Sequence, residues 1–281
     1  MTREEVLDSF APYLELNYKS KATIETYWGI GKKFIFDNSK IDRMTKSDIN
    51  NYLISYKSGR AIRTYNSMCA VIKLIFDGVL KQSQKTSHLK YIKPPNPLIE
   101  ILSVEEVRSM VTNANNLKHQ AIIATLYHTM ARRSELLNLK IQNICSEIHE
   151  DQKHFKINIM EGKGGKGRSI PIPRELAVLL WKYIQKYNPK EYLFEGQSGG
   201  LYSESSLAEV LRSSYRGPKR IYPHLMRHSG ATHLVDEHIQ IVKLQKLLGH
   251  SSIRSTMKYV HLSSRSLFDI KRPQILTTKA A

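Results

Sequence analysis

The sequence is poor in cysteine. Its 281 residues include two, Cys69 and Cys145, far apart in the chain. That spacing excludes a disulfide framework and a clustered-cysteine zinc site, and leaves two ordinary buried thiols as the reading. Long apolar runs are also missing: none approaches the roughly 20 residues of a membrane span. The stretch from Met1 to Ser9 carries Arg3, Glu4, Glu5 and Asp8, where a secretory signal would place a basic stretch and an apolar core. A soluble, cytoplasmic protein with no membrane partner is expected, nucleoid-associated in a prokaryotic or viral setting. Acidic residues are scarce, with 25 Asp and Glu against 43 Lys and Arg and a formal net charge of +18. A positive surplus of that size concentrates a polyanion whatever the fold, and without a membrane-seeking segment the partner it points to is nucleic acid. Internal repeats and low-complexity tracts are absent, so a solenoid is not expected.

What is present divides near residue 90. Residues 2 to 80 predict four short helices. Thr2 caps the first, which carries Val6, Phe10, Tyr13 and Leu14. Ser20 or Thr23 precedes the second, with Ile24, Tyr27, Phe34 and Ile35. Thr45 with Asp48 opens the third, and Ile62, Tyr65, Met68, Cys69, Ile72 and Ile75 line one face of a fourth over 61–76. From Lys81 to Lys93 the chain is polar and basic, and Pro94, Pro95 and Pro97 forbid a continuous helix. An extended linker over 81–100 is the expectation. Both halves are basic, with 15 basic against 9 acidic side chains up to residue 90 and 28 against 16 beyond it, so both are suited to one polyanion. Beyond the linker, Ser103 with Glu106 signals a helix start, and an apolar helix follows over 119–130. Strand-like segments occupy 140–148, 155–160 and 168–173, and helices return over 173–187, 203–213, 223–237 and 241–248.

Four segments hold polar residues where a plain core has no use for them. Arg132, Arg133, Ser134 and Glu135 interrupt an apolar stretch; a structural Arg–Glu pair and an anion site both fit. Glu161 to Arg168 is a glycine-rich hairpin tip carrying Lys163, Lys166 and Arg168. It lacks the spacer and hydroxyl residue of a nucleotide-binding loop, so either a solvated turn or a finger reaching a phosphate remains. In His224-Leu-Met-Arg227-His228, helical spacing puts His224 and Arg227 on a shared face, with His228 one position further round. No metal-protease pattern or nearby carboxylate cluster accompanies these histidines. Leu247-Leu-Gly-His250 ends a short helix at Gly249, and Tyr259 follows in a weakly patterned stretch. Two arginines, a lysine and two histidines form a set that can stabilise a pentavalent phosphate without a metal, and a tyrosine can supply covalent attack.

These motifs resemble those of the tyrosine recombinase (phage integrase) family, and in particular its compact Xer-like and simple integrase members. The resemblance rests on Thr129-Met-Ala-Arg132-Arg-Ser-Glu135-Leu-Leu, Lys163 in its glycine-rich hairpin, His224-x-x-Arg227-His-Ser-x-Ala-Thr-His233, Leu247-Leu-Gly-His250, and Tyr259 nine residues later. It covers residues 103–263. Four positions depart from the family's pattern: Met130 stands where a glycine is usual, Ala131 where a leucine is, Gly230 where a phenylalanine is, and Ser255 where one of a pair of threonines is.

The resemblance implies a two-domain DNA clamp. Residues 1–80 would be a small all-α core-binding (SAM-like) domain and 81–100 a basic, proline-containing linker. Residues 101–281 would be a mixed, mainly α catalytic domain with a small antiparallel sheet and a C-terminal tail. It further implies that Tyr259 attacks a scissile phosphate to give a 3′-phosphotyrosyl link. Arg132 and Arg227 would clamp the nonbridging oxygens, Lys163 would protonate the leaving 5′-oxygen, His224 would assist proton removal from Tyr259, His250 would bond the phosphorane, and Glu135 would orient the pocket. No cofactor or metal is implied, because the covalent link preserves the phosphodiester's energy. The implied partners are double-stranded DNA with a specific recombination site, three further copies in a homotetramer working through a Holliday junction, and in some settings an accessory protein. Lys166, Arg168, Arg216, Lys219 and Arg220, with Arg60 and Arg63 near the start of the fourth helix, are the expected DNA contacts. Asn66 and the helix from Ser203 are further candidates for reading bases. A type IB topoisomerase-like relaxing enzyme and a silent DNA-binding descendant are the alternatives. The lysine hairpin and compact helical domain weigh against the first, and retention of the full catalytic set against the second.

Overall fold

A computed structural model describes residues 1–95, 100–149, 152–160 and 167–262. The chain divides into two compact units, Met1–Pro97 and Leu98–Ala281. The first is all-helical among its described residues: α1 (Arg3–Asn17), α2 (Lys21–Asp37), α3 (Lys46–Lys57) and α4 (Ile62–Lys73), the last running on into a π-helical turn over Leu74–Val79. Reciprocal capping boxes open α1 and α3. Thr2 Oγ1 accepts from Glu5 N while Glu5 Oε2 accepts from Thr2 N, and Thr45 and Asp48 repeat the arrangement. The apolar faces meet in one core containing Val6, Phe10, Phe34, Leu53, Met68 and Phe76. Gly31 permits the close crossing of α1 and α2, since a Cβ there would lie 2.2 Å from the Phe10 ring.

The first part of the segment expected as an extended linker is docked on this unit. Thr86 and Leu89 are buried. Thr86 Oγ1 donates to Asp77, and the Asn66 amide clamps the backbone of Ile92 in both directions, at 2.7 and 3.0 Å. Asn66, a candidate base reader by sequence, is therefore committed to its own chain.

The second unit packs α5 (Val104–Asn113), α6 (Leu117–Thr129), α7 (Arg133–Leu137), α8 (Arg174–Tyr187), α9 (Glu204–Ser214), α10 (Pro223–Asp236), α11 (Ile241–Leu248) and α12 (Arg254–Leu262) with a three-stranded antiparallel sheet. Strands β1 (Ile144–His149), β2 (Gln152–Ile159) and β3 (Arg168–Ile172) lie in sequence order, with Ile144 opposite Ile157 and Ile157 opposite Ile170. Lys140, expected to start a strand, only bridges Tyr192, and β1 begins after a 3-10 turn at Ile141–Asn143. Two further differences concern the site. The sequence pattern predicts no helix where the short α7 stands, and the weakly patterned stretch holding Tyr259 is helical, as α12. Among the described residues no helix is long and apolar enough to cross a membrane.

The main core gathers around α6, whose Ala121 to Leu126 are all buried. A separate small cluster joins Met130, Ala231, Val235, Leu244, Leu248 and Tyr259. Helix α10 passes between these regions with Leu225, Met226 and Ala231 buried, and with Arg227, Ser229 and Thr232 buried as well. Ser229 Oγ accepts from Leu102 N at 2.8 Å, which fixes the start of the described second unit against α10.

Candidate active site

The turn between α6 and α7 sets the site's geometry. Met130 ends α6 in the left-handed region, φ 52°, where the family pattern favours glycine and where a side chain costs roughly 1–2 kcal/mol. Gly230 of α10 lies against this turn: a Cβ there would sit 2.7 Å from Tyr127 O and 3.1 Å from Met130 Cγ. The two departures from the family pattern thus face each other, the Met130 side chain standing where a residue larger than Gly230 would project. The strained turn directs Met130 O at Arg227 Nη1, 2.6 Å away.

Arg227 is 3% exposed, and burial lowers its pKa, with the charge of Arg132 adding to the effect. Its second terminal nitrogen donates to Leu248 O at 2.7 Å and to His250 Nε2 at 3.1 Å. These partners are carbonyls and an imidazole, none of them an anion. With the Glu135 charge acting on it only at a distance, the buried guanidinium has no anionic hydrogen-bond partner and is suited to take one from outside. Because His250 Nε2 accepts from Arg227, its Nδ1 carries the proton and donates to Thr256 Oγ1 at 2.9 Å. Gly249, the left-handed C-cap of α11 at φ 62°, turns His250 back toward the site. Burial first, then the charges of Arg227, Lys258 and Arg132, brings the His250 pKa down to about 4.

Arg132 sits at the N-cap of α7 and donates through Nη1 to Glu135 Oε1 at 2.7 Å. The other oxygen of Glu135 accepts from the Arg132 backbone N–H at 2.7 Å. Arg168 closes the network as a fork, with Nη1 on Oε1 at 3.0 Å and Nη2 on Oε2 at 2.7 Å, while its Nε donates to Leu247 O at 2.7 Å. Burial would raise the Glu135 pKa, but the hydrogen bonds from Arg168 and the Arg132 backbone, with the charge of Arg168, outweigh it and hold the carboxyl at about 2. Arg168, expected to contact DNA, is instead a 7% exposed structural cation that ties β3 to α7 and α11.

Tyr259 is buried, and its ring lies parallel to that of His250, 6.3 Å between centroids and 6° between planes. Burial raises its phenol pKa, opposed by Arg227 and Arg132. The imidazole that meets its hydroxyl is His228, through Nδ1 at 3.1 Å, and not His224 as expected. His224 is exposed at the first turn of α10, its ring 6.4 Å from that of His228. With Arg132, Arg133, Ser134, Tyr222 and Pro223 it lines a cleft of about 350 Å³. The i, i+4 relation of His224 and His228 on one helix was a usable signal for this neighbour. Lys258, unremarked in the sequence, lies with its ammonium 4.9 Å from the centre of the Tyr259 ring, and burial lowers its pKa.

The remaining expected contacts separate. Lys219 is committed to Glu106 at 2.6 Å and to Ile101 O at 3.0 Å, so its expected role at DNA is replaced by a structural one. Arg216, Arg220, Arg60 and Arg63 are exposed, with Arg60 4.4 Å over the Tyr56 ring. Lys163 and Lys166 lie outside the described residues. Among the described residues, no group of three His, Cys, Asp or Glu side chains is placed to hold a metal ion.

A phenol, two guanidiniums and two imidazoles thus converge from α6–α7, α10, α11 and α12, in a form suited to attack of tyrosine on a phosphodiester. Comparison with known proteins agrees. The phage integrase family model matches residues 100–265. The chain is 32% identical to the tyrosine recombinase XerA of Pyrococcus furiosus over 285 residues, covering 98% of this chain and 96% of that protein. It is 26% identical to the tyrosine recombinase XerD of Listeria innocua over 253 residues, covering 82% of each. A crystal structure of XerA recombinase matches with a TM-score of 0.52 at 26% identity, over 92% of this chain and 94% of that one. A lambda integrase tetramer bound to a Holliday junction gives 0.75 at 16% identity over 96% and 80%, a likeness of fold. The chain belongs to the phage integrase family, and within it is a tyrosine recombinase of the Xer-like kind.

Proposed function

We propose that this enzyme carries out site-specific DNA strand exchange, with Tyr259 as nucleophile. The observation that carries the reading is Arg227: a buried cation, gripped only by neutral partners, beside the Tyr259 hydroxyl and His250. A scissile phosphate supplies the anion this arrangement lacks. Arg227 and Arg132 hold its nonbridging oxygens, and His250, released from Arg227 and switched to the tautomer whose Nδ1 accepts from Thr256 Oγ1, donates from Nε2 to the developing phosphorane. The Oη–P bond forms as the P–O5′ bond breaks, and the departing 5′-oxygen takes a proton from Lys163, the residue to which the family resemblance gives this part. A 5′-hydroxyl from a second duplex reverses the step, so cleavage becomes exchange.

The helical first unit serves as the core-binding half of a clamp on the duplex, as domain divisions at 1–80, 81–100 and 101–281 suppose. Two duplexes present four strands, which calls for a homotetramer on DNA, with any accessory protein acting on that assembly. Arg216, Arg220, Arg60 and Arg63, being exposed, are suited to phosphate contacts that set register. The test uses nicked suicide duplexes selected by the protein from a randomised pool. A denaturing gel should show a protein–DNA adduct for the wild type and none for Tyr259→Phe. Tight binding without an adduct by either protein would refute the catalytic reading. Relaxation of supercoils without strand exchange on a selected site would refute recombination.

A further inference from the structure

Among the described residues, His228 is the one imidazole in contact with the hydroxyl of Tyr259, and although it stands in the second arginine box, the resemblance gives it no part in the chemistry. Its Nδ1 lies 3.1 Å from Tyr259 Oη, and the two rings are 5.6 Å apart at 49°. We propose that His228 accepts the phenolic proton as Tyr259 attacks the phosphate and returns it when the phosphotyrosyl link is resolved. The inference rests on Tyr259 being the nucleophile.

The step balances. The Tyr259 O–H bond breaks, its electron pair forms the Oη–P bond, and the proton passes to Nδ1 of the neutral imidazole. The P–O5′ bond breaks and the leaving oxygen takes its proton from the separate general acid. In the second half, the incoming 5′-hydroxyl gives its proton to the conjugate base of that general acid as its oxygen bonds to phosphorus, the Oη–P bond breaks, and His228 returns its proton to the departing phenolate.

Charge and geometry favour His228 over the other candidates. His250 is held by Thr256 at Nδ1 and is given to the phosphorane through Nε2, which leaves neither nitrogen for the phenol. Exposed His224 lines the cleft shared with Arg132. Burial, followed by the charges of Lys258, His224, Arg227 and His250, lowers the His228 pKa to about 4. Lys258 and Tyr259 face it from α12, His250 from the turn after α11, and His224 and Arg227 from its own helix. The ring is thus neutral at physiological pH and able to accept. A pKa that low makes a weak base for a phenol until DNA arrives. An incoming phosphodiester opposes the same cations that depress His228, raising its basicity, while Arg227 and Arg132 favour the phenolate. Proton transfer is thereby matched to the presence of substrate.

The variant that separates accepting a proton from holding the ring is His228→Asn, whose Oδ1 occupies nearly the place of Nδ1 and can take the Tyr259 hydrogen bond but not the proton. His228→Gln is the second variant should Asn fail to fold. Single-turnover adduct formation on a selected suicide duplex is followed from pH 6.5 to 9.5, with DNA affinity measured alongside. The expected result is a loss of about a hundredfold at neutral pH, with affinity within about twofold of wild type. The deficit should shrink as pH rises toward the phenol's pKa, and shrink further when a fluorotyrosine of lower pKa replaces Tyr259. A deficit under about threefold, or one unchanged by pH and by fluorination, would overturn the assignment and leave His228 a packing residue. A wild type that forms no adduct under conditions of tight binding would instead overturn the nucleophile reading, and this proposal with it.

Discussion

Replacing Glu135 by Gln removes one charge from a network of two guanidiniums while leaving its shape nearly intact. The carboxyl group and its Arg168 partner are 8% and 7% exposed, so solvent screens little of their interaction. The Glu135 pKa falls from 4.5 to about 2 on folding, and at 1.36 kcal/mol per unit the ionised side chain is worth about 3 kcal/mol at pH 7. That agrees with the 3–5 kcal/mol typical of stranding one partner of a buried pair. Its folded-state pKa is depressed, so the stabilisation is complete above the unfolded value and is lost as pH falls through about 2. Equilibrium urea denaturation of wild type and Glu135→Gln should therefore show a gap of about 3 kcal/mol at pH 7, narrowing to about 1 kcal/mol at pH 3. Cleavage should also fall, because Arg132 loses the carboxylate that holds it beside the cleft. A gap under about 1 kcal/mol at pH 7, or one that does not change with pH, would refute this account of the network.

Other perturbations test separate parts of the site. Gly230→Ala places a methyl 2.7 Å from Tyr127 O and should destabilise the second unit by about 1–3 kcal/mol, read as a lowered thermal midpoint; Met130→Gly in the same chain should recover only part, since the backbone contact remains. Arg227→Lys cannot reach Met130 O, Leu248 O and His250 together, and should slow adduct formation by about a hundredfold with little change in DNA affinity. Arg168→Lys should likewise slow cleavage while leaving the salt dependence of binding unchanged, because Arg168 is spent on Glu135 and Leu247 O. Arg216→Ala and Arg220→Ala should each flatten the logarithmic salt slope by about 1 if those side chains neutralise phosphates; an unchanged slope would remove them from the interface.

Much of this was legible where local chemistry decides structure. Thr2, Thr45 and Ser103 announce helices through side chains that bond their own backbone, and the alternation of Ile170 and Ile172 marks a half-buried strand. The same alternation puts Arg168 on the inner face of β3 with Ile170 and Ile172, so the strand pattern carries the signal of its burial that its charge obscures. Lys219 carried no such mark, since its partner Glu106 is remote in sequence. Helix α10 shows no polar face to separate from an apolar one, because it is buried on several sides and satisfies Arg227 and Ser229 through partners on other elements. Helix α12 begins among Ser251, Ser252 and Ser255, residues that weaken a helical pattern, and its position is set by packing Tyr259 into a cluster formed elsewhere. The docking of Thr86 and Leu89 was hidden for the same reason: composition reports polarity, and the partners that bury a polar segment are tertiary.

The facing pair of Met130 and Gly230 couples two distant positions of the chain. The family pattern places a small residue in the turn and a large one on the helix; this chain has exchanged them. Restoring phenylalanine alone at 230 drives a ring into the Tyr127 carbonyl and the Met130 side chain, and restoring glycine alone at 130 relaxes the turn but empties part of the space beside α10. The single change at 230 therefore gives a less stable protein, while the one at 130 sets relief of the turn against lost packing. The side chain tolerated at 230 therefore depends on the one at 130, although 100 residues of chain separate them.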